Sequence, residues 1–354
     1  MSKTFGKSIY KLHKWTGLIA GLFIFILGIS GSVLVFHKEI EKSVDTDYLV
    51  TDNNLPVDID KAYETIHTSY KNWEIRLEHF SNDPKETLVF GLRRPAERLT
   101  VFIHPANGNI LKQADTEKAV VKWILKLHYS LHAGTAGKTI VFIVGLLFLL
   151  SLITGLIVYR KALTDILLFR IKFKQKNKKA FSSSLHRYVG VWAVLLNLII
   201  VITGLLISYD VMIYGYSNQT VSNPKSPKIN ISLQKTLEIL QKDYPDFNAN
   251  YIRFPKAEGA ALSILGSLKN QPFYYSKTSN SISVDPNTSE IREIKIIRNA
   301  TSKDQIASIS KAIHFVEFEN IFIKLIFCLA GLSVPLLSIT GFLLWKWKGK
   351  KSKK

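Results

Sequence analysis

The sequence predicts a membrane α-helical protein, with four transmembrane helices arranged as two parallel repeats and two small α+β modules facing outward. Three observations carry that expectation. The 354-residue chain has four long, almost uncharged apolar runs, its net positive charge is concentrated in the short segments flanking them, and its first half is repeated in its second.

The apolar runs are Trp15–Phe36, Thr139–Tyr159, Val189–Tyr209 and Ile321–Trp345, each 21–25 residues long. About 20 apolar residues at a rise of ~1.5 Å cross a hydrocarbon core. Soluble helices of that length are seldom apolar on every face. Lys324 stands near the start of the last run, where its side chain can snorkel to the interface. The first run is too long for a cleaved leader and no small-residue cleavage site precedes His37, so it is expected to be an uncleaved signal anchor. The single cysteine, Cys328, lies in the fourth run, which excludes an internal disulfide and a cysteine-based metal site.

The net charge of +20 is distributed unevenly. The segment 1–14 has four Lys and no acid, 160–187 has nine Lys/Arg against Asp165, and 346–354 has six Lys and no acid; together they hold +18 of the total. The connections around 38–138 and 210–320 are nearly balanced. Basic residues stay on the cytoplasmic side of a membrane. The expected order is a cytoplasmic tail (1–14), a span (15–37), an outer module (38–127), a span with an outer extension (128–159), a basic cytoplasmic loop (160–186), a span (187–210), a second outer module (211–313), a span with an outer extension (314–345) and a cytoplasmic tail (346–354). This places the chain in a membrane, in contact with lipid and with both termini cytoplasmic. Short membrane-flanking basic runs, without a folded basic surface interleaved with aromatics, argue against nucleic acid as a partner.

The duplication is visible residue by residue. Leu12-His13-Lys14-Trp15-Thr16-Gly17 matches Leu185-His186-Arg187-Tyr188-Val189-Gly190 at an offset of 173, which also lays Ser30-Gly31 on Thr203-Gly204. At an offset of 186, His128 falls on His314, Gly145-Leu146 on Gly331-Leu332, and Thr154-Gly155 on Thr340-Gly341. Two halves of the same orientation imply a pseudo-twofold axis along the membrane normal.

Each outer module is expected to be one helix and several strands. Helical spacing covers Asp58–Tyr70, with Ile59, Tyr63, Ile66 and Tyr70 on one face, followed by strands at Trp73–Phe80, Glu86–Leu92 and Leu99–His104 and a turn at Pro105-Ala106-Asn107-Gly108. The second module repeats this with a helix at Ser232–Lys242, strands at Ala249–Phe254, Ala261–Leu268 and Ser281–Val284, and a turn at Asp285-Pro286-Asn287-Thr288. Neither holds a nucleophile elbow, a HExxH helix or a phosphate loop, and no residue is singled out as catalytic.

The chemistry lies in the histidines. Ionisable residues at membrane ends are costly and usually mark function. His13 and His186 begin the two in-to-out helices, and His128 and His314 precede the two out-to-in helices, so symmetry places one pair at each face. Two imidazoles alone under-coordinate zinc, which wants four ligands. They suit a b-type haem, whose macrocycle supplies four nitrogens and whose iron takes two axial imidazoles. Two such haems would give an electron path across the bilayer. Gly31, Gly155, Gly204 and Gly341 put small residues at about the level of each pair, where a flat ligand or a neighbouring helix approaches closely. His37 and His132 are not duplicated and stand as alternate outer ligands. His67, His79 and His104 read as ordinary residues of the first module. No CxxCH is present, so covalent c-type attachment is excluded.

The run Leu12-His13-Lys14-Trp15, the segment Leu127-His128-Tyr129-Ser130-Leu131 with Gly134 and Gly137, and the repeated Thr-Gly endings resemble the PepSY-associated transmembrane family of bacteria over nearly the whole chain. The outer segments resemble PepSY domains, including turns such as Val284-Asp285-Pro286. The family includes iron-regulated inner-membrane proteins and haem-containing ferric-siderophore reductases. The resemblance implies that His13, His186, His128 and His314 are axial ligands to two b haems, and that a ferric siderophore or other iron chelate is reduced at the outer face, between the modules. The second half departs from the pattern, since Ile313-His314-Phe315-Val316-Glu317-Phe318 has no counterpart of Gly134 or Gly137. No GxGxxG follows a strand, so the electrons are expected from a quinol or a separate cytoplasmic donor. The competing expectations are a non-enzymatic PepSY protein that binds or inhibits a periplasmic partner, and an iron or solute permease.

Overall fold

A computed structural model describes residues 3–44, 48–50, 55–95, 97–217 and 226–349. The chain forms two compact units, a helix bundle (Met1–His37, Ile124–Asn218, Ile313–Lys354) and a sheet unit (Lys38–Trp123, Gln219–Ala312).

Four helices of the bundle are long and apolar enough to cross a membrane: α1 (Lys3–Leu34), α5 (Gly134–Tyr159), α7 (Lys178–Ser217) and α10 (Ile321–Gly349). α1 packs on α5 and α10, and α7 packs on the same two helices, which closes a ring of four. Bare backbone makes the tightest seam. A Cβ on Gly28 would stand 2.7 Å from the Pro335 ring and 3.0 Å from the Gly331 carbonyl, while Ser32 donates across the same seam to the Cys328 carbonyl at 3.1 Å. Small residues that let helix backbones touch replace the hydrophobic drive that lipid removes.

The helices run past the apolar stretches. α1 is already helical at Lys3, so the expected tail 1–14 continues the first span. α7 has 40 residues, and begins well before Val189 and ends well after Tyr209; its length of about 60 Å is twice a hydrocarbon core. The basic connection is not a free loop either. A short helix, α6 (Leu163–Leu167), buries Ile166 against Tyr188 and Val191, and Phe169 stacks on Tyr188 at 5.6 Å and on Trp192 at 5.5 Å.

His128 and His314 lie outside the spanning helices. They sit on α4 (Val120–Ser130) and α9 (Ser302–His314), separate helices that end before α5 and α10 begin. The extensions expected from 128 and 314 are set off from the spans as helices of their own. The two reversals differ in chemistry. In the first, Leu131, His132 and Gly134 take φ values of 50°, 57° and 56°, and a Cβ on Gly137 would fall 1.7 Å from the Ser130 carbonyl oxygen. In the second, Val316 turns the chain at φ 51° and Asn320 caps α10 by accepting from the Phe322 N–H at 2.9 Å, so no glycine is required.

The sheet unit contains α2 (His37–Val44), α3 (Ile59–Ser69) and α8 (Leu233–Asp243) with eight strands: β1 (Glu74–His79), β2 (Leu88–Arg94), β3 (Glu97–Ile103), β4 (Ile110–Asp115), β5 (Phe247–Arg253), β6 (Leu262–Leu268), β7 (Asn280–Val284) and β8 (Ile291–Lys295). α2 begins at His37, where the bundle unit ends. The strands form one antiparallel sheet ordered β4-β3-β2-β1-β5-β6-β7-β8. The expected pair of separate modules is therefore a single sheet, joined where β1 pairs antiparallel with β5 (Arg76 opposite Arg253, Leu77 opposite Ile252).

α3 and α8 start alike. Asp58 accepts from the Lys61 N–H at 2.9 Å, and Ser232 accepts from the Lys235 N–H at 3.1 Å, both as N-caps. Their apolar faces, Ile59, Ala62, Tyr63 and Ile66 against Leu233 and Leu240, share one core with Ile75, Leu77, Phe90, Ile252, Ile264 and Ile282. Tyr63 stacks on Phe254 at 4.7 Å with an interplanar angle of 4°. Each turn after the third strand of a half is closed by the same backbone pairing, His104 N–H to the Asn109 carbonyl and Asp285 N–H to the Glu290 carbonyl, each at 2.8 Å.

A charged network crosses the β1·β5 seam. Glu74 pairs with Arg76 at 2.5 Å and with Lys256 at 3.1 Å, and Arg76 donates to the Tyr251 hydroxyl at 3.2 Å. Burial raises the Glu74 pKa, but the two cations outweigh it, so the carboxyl titrates below its usual value of 4.5. Folding therefore favours the ionised form, and the stabilisation is present above pH 4.5 and lost as pH falls through the lowered value.

Unfolding of the sheet unit, followed by Trp73 fluorescence with the other five tryptophans replaced by phenylalanine, should show stability falling as pH drops below about 4.5, and Glu74→Gln should flatten that part of the profile. An unchanged slope in the variant would contradict the assignment. Gly137→Ala should lower stability by about 1–3 kcal/mol through overpacking, read as a lower unfolding midpoint in detergent, because the added methyl meets a carbonyl oxygen that cannot retreat.

Two histidine pairs in the helix bundle

Four side chains expected to act together do come together, as two pairs. The His13 and His186 rings lie 6.2 Å apart between centroids, at an interplanar angle of 72°. The His128 and His314 rings are also 6.2 Å apart, at 40°. α1 and α7, which hold the first pair, are not neighbours in the ring of four, so this pair reaches across its centre. Eighteen residues separate His13 from Gly31 on α1, and eighteen separate His186 from Gly204 on α7. That is about 27 Å of helix rise, close to the ~30 Å hydrocarbon thickness.

Every ring rests against a glycine. A Cβ built on Gly31 would lie 2.9 Å from His128 Cε1, on Gly204 2.6 Å from His314 Cε1, on Gly155 3.2 Å from His13 Cε1, and on Gly341 3.4 Å from His186 Cε1. All four imidazoles thus turn the same edge, Cε1–Nδ1, toward the neighbouring helix.

The residue before each glycine fixes the tautomer. Ser30, Thr203, Thr154 and Thr340 donate their hydroxyl protons to the carbonyls of Ile26, Ile199, Leu150 and Leu336 at 2.7–2.8 Å. A hydroxyl spent in that way can only accept from a neighbour. Ser30 Oγ stands 3.0 Å from His128 Nδ1, Thr340 Oγ1 2.9 Å from His186 Nδ1, Thr203 Oγ1 3.4 Å from His314 Nδ1, and Thr154 Oγ1 3.5 Å from His13 Nδ1. Backbone carbonyls reinforce them, Ser151 at 3.0 Å from His13 Nδ1 and Ile200 at 3.1 Å from His314 Nδ1, with Leu27 beside His128 and Leu337 beside His186. The proton therefore sits on Nδ1 in all four rings, and Nε2 keeps its lone pair. An imidazole whose Nδ1–H is anchored to an acceptor is oriented for ligation through Nε2.

The sequence singled out the [Ser/Thr]-Gly pairs as small residues at the right level; their hydroxyls as acceptors, and Ser151, it missed. The signal was available, since a hydroxyl one residue before each of these glycines recurs in both halves. The alternate histidines are placed differently. His37 opens α2 with Nδ1 3.0 Å from the Leu34 carbonyl, and His132 occupies a left-handed turn position. Of the remaining three, His79 pairs with Glu86 at 3.2 Å, His104 accepts from the Ala106 N–H at 3.2 Å, and His67 lies 5.7 Å from the Tyr63 ring.

Among the described residues, no three His, Cys, Asp or Glu side chains converge on a metal-sized point. Each pair supplies two nitrogens only, which fits a ligand bringing its own equatorial donors. Two bonds of about 2 Å from imidazole nitrogen to metal, with half a ring on either side, span about 6 Å, close to the centroid separation of both pairs.

Comparison with curated proteins returned no match. The family model described as the PepSY-associated TM region matches residues 10–348.

Nitrogen-15 NMR of histidine-labelled protein should show all four rings as the Nδ1–H tautomer. Gly204→Ala should displace the His314 resonance, where the methyl meets the ring at 2.6 Å, while Gly341→Ala, at 3.4 Å, should leave His186 in place. Equal effects of the two substitutions would contradict the cradle geometry.

Proposed function

The chain belongs to the PepSY-associated TM region family, and on that footing we propose that it is a haem-dependent oxidoreductase of the bacterial inner membrane that reduces ferric chelates, siderophores among them, on the periplasmic side. The observation that carries this reading is the pair of opposed imidazoles at each end of the bundle, with every Nδ1 tied to an acceptor and every Nε2 left free. A b-type haem held by each pair would supply reversible one-electron chemistry at iron.

The chain's own residues do the positioning. His13 and His186 would hold one group, and His128 and His314 the other. Gly31, Gly155, Gly204 and Gly341 let each ring sit flush against a neighbouring helix, and the Ser/Thr hydroxyls keep it from turning. The apolar faces of α1, α5, α7 and α10 exclude water from the space between. The asymmetric basic charge of the sequence orients both termini toward the cytoplasm, so the His128/His314 pair faces the periplasm. We read the two halves of the eight-stranded sheet as PepSY-like modules of two parallel repeats. The reaction takes one electron per ferric ion from a quinol or a separate cytoplasmic donor, and ferrous iron is held less tightly by hard oxygen ligands.

Protein purified from a haem-replete host should show a reduced b-type absorption spectrum with about two haems per chain by pyridine hemochrome assay. His13→Ala or His186→Ala should remove one haem and His128→Ala or His314→Ala the other, whereas His37→Ala and His132→Ala should keep both. Folded but colourless protein would end the proposal.

A further inference from the structure

Each histidine of the first pair is followed in sequence by a cation and then an aromatic ring, His13-Lys14-Trp15 in α1 and His186-Arg187-Tyr188 in α7. Lys14 Nζ lies 4.5 Å from the Trp15 ring, and the Arg187 guanidinium 5.6 Å from the Tyr188 ring. The Arg187 nitrogens Nε and Nη2 are buried without a hydrogen-bond partner. With two of its three nitrogens withdrawn from water and unpaired, this guanidinium calls for an anion. Among the described residues at this end of the bundle (3–14, 159–190 and 340–349), the only acid is Asp165, which faces Arg170 at 3.7 Å.

We infer that Lys14 and Arg187 are a symmetry-related pair of counter-ions for two carboxylates of the ligand held between His13 and His186, and so select a dicarboxylate tetrapyrrole over its uncharged relatives. This rests on the haem reading of the same histidines. The two cations occupy equivalent positions in the two halves, one residue beyond each ligating ring, so a ligand with two acidic arms meets one cation on each. Arg offers a planar fork matched to a carboxylate and Lys a point charge. Burial of Nε and Nη2 argues against a lipid phosphate as the partner, because a headgroup would approach from the surface.

The test titrates apo-protein of full length, in a His128→Ala/His314→Ala background so that one pair is observed, with protohaem and with its dimethyl ester, reading the Soret band. The free diacid should bind at least about tenfold more tightly than the diester, the effect of losing one good charge-assisted contact. Lys14→Gln/Arg187→Gln should abolish that preference while keeping a bis-imidazole spectrum, and Arg187→Lys should restore part of it. Equal affinity for diacid and diester in the unsubstituted site, as a lipid-engaged Arg187 would give, overturns the inference and leaves the haem reading standing. So does a preference that survives Lys14→Gln/Arg187→Gln. Binding of neither porphyrin overturns both.

Discussion

The arrangement depends on how an imidazole is accommodated among apolar helices. Both ring nitrogens are polar, and lipid-facing protein offers few acceptors, since most backbone carbonyls are spent inside their own helices. The chain meets this with a two-residue device, placed once on each of the four spanning helices. A glycine removes the side chain so that a ring can lie flush on the helix, and the preceding Ser or Thr turns its hydroxyl oxygen toward Nδ1 while its proton goes to its own backbone. One nitrogen is thereby satisfied and its tautomer fixed; the other keeps its lone pair, in a ring 6.2 Å from its counterpart in the opposite half.

The same elements follow one another in the two halves, yet the halves are not copies. The first reversal into the bundle needs Gly137 because a carbonyl occupies the place of its Cβ; the second turns at Val316 and caps with Asn320. In spite of this, both members of the second pair reach a ring separation equal to that of the first. Different local solutions converge on one distance, which indicates that the ring positions are the constrained quantity and the turns are free to vary.

Much of this was legible in the sequence, for physical reasons. Four apolar runs about as long as a bilayer is thick admit one interpretation, and histidines repeated in register identified the pairs. The helix ends were missed because Lys- and Ser-rich turns such as 178–188 carry no apolar signal, although Ser182, Ser184 and Tyr188 are buried there. The breaks that set α4 and α9 off from the spans were not read, because Leu131, His132 and Val316 give no warning that they adopt left-handed conformations. β4 and β8 escaped because edge strands are exposed on both faces and do not alternate. The joining of β1 to β5 was unreadable, since edge pairing depends on backbone groups that every sequence shares.

The pairing of His13 with His186 and of β1 with β5 distributes each shared structure across the chain. A polypeptide ending within the basic connection near α6 would possess two spanning helices, four strands and one imidazole from each pair, and so no finished site. It could complete itself only by meeting a second such fragment in the inverse role. The arrangement is that of a symmetric dimer whose two subunits have been tied end to end, and the tie makes simultaneous synthesis of both partners unavoidable.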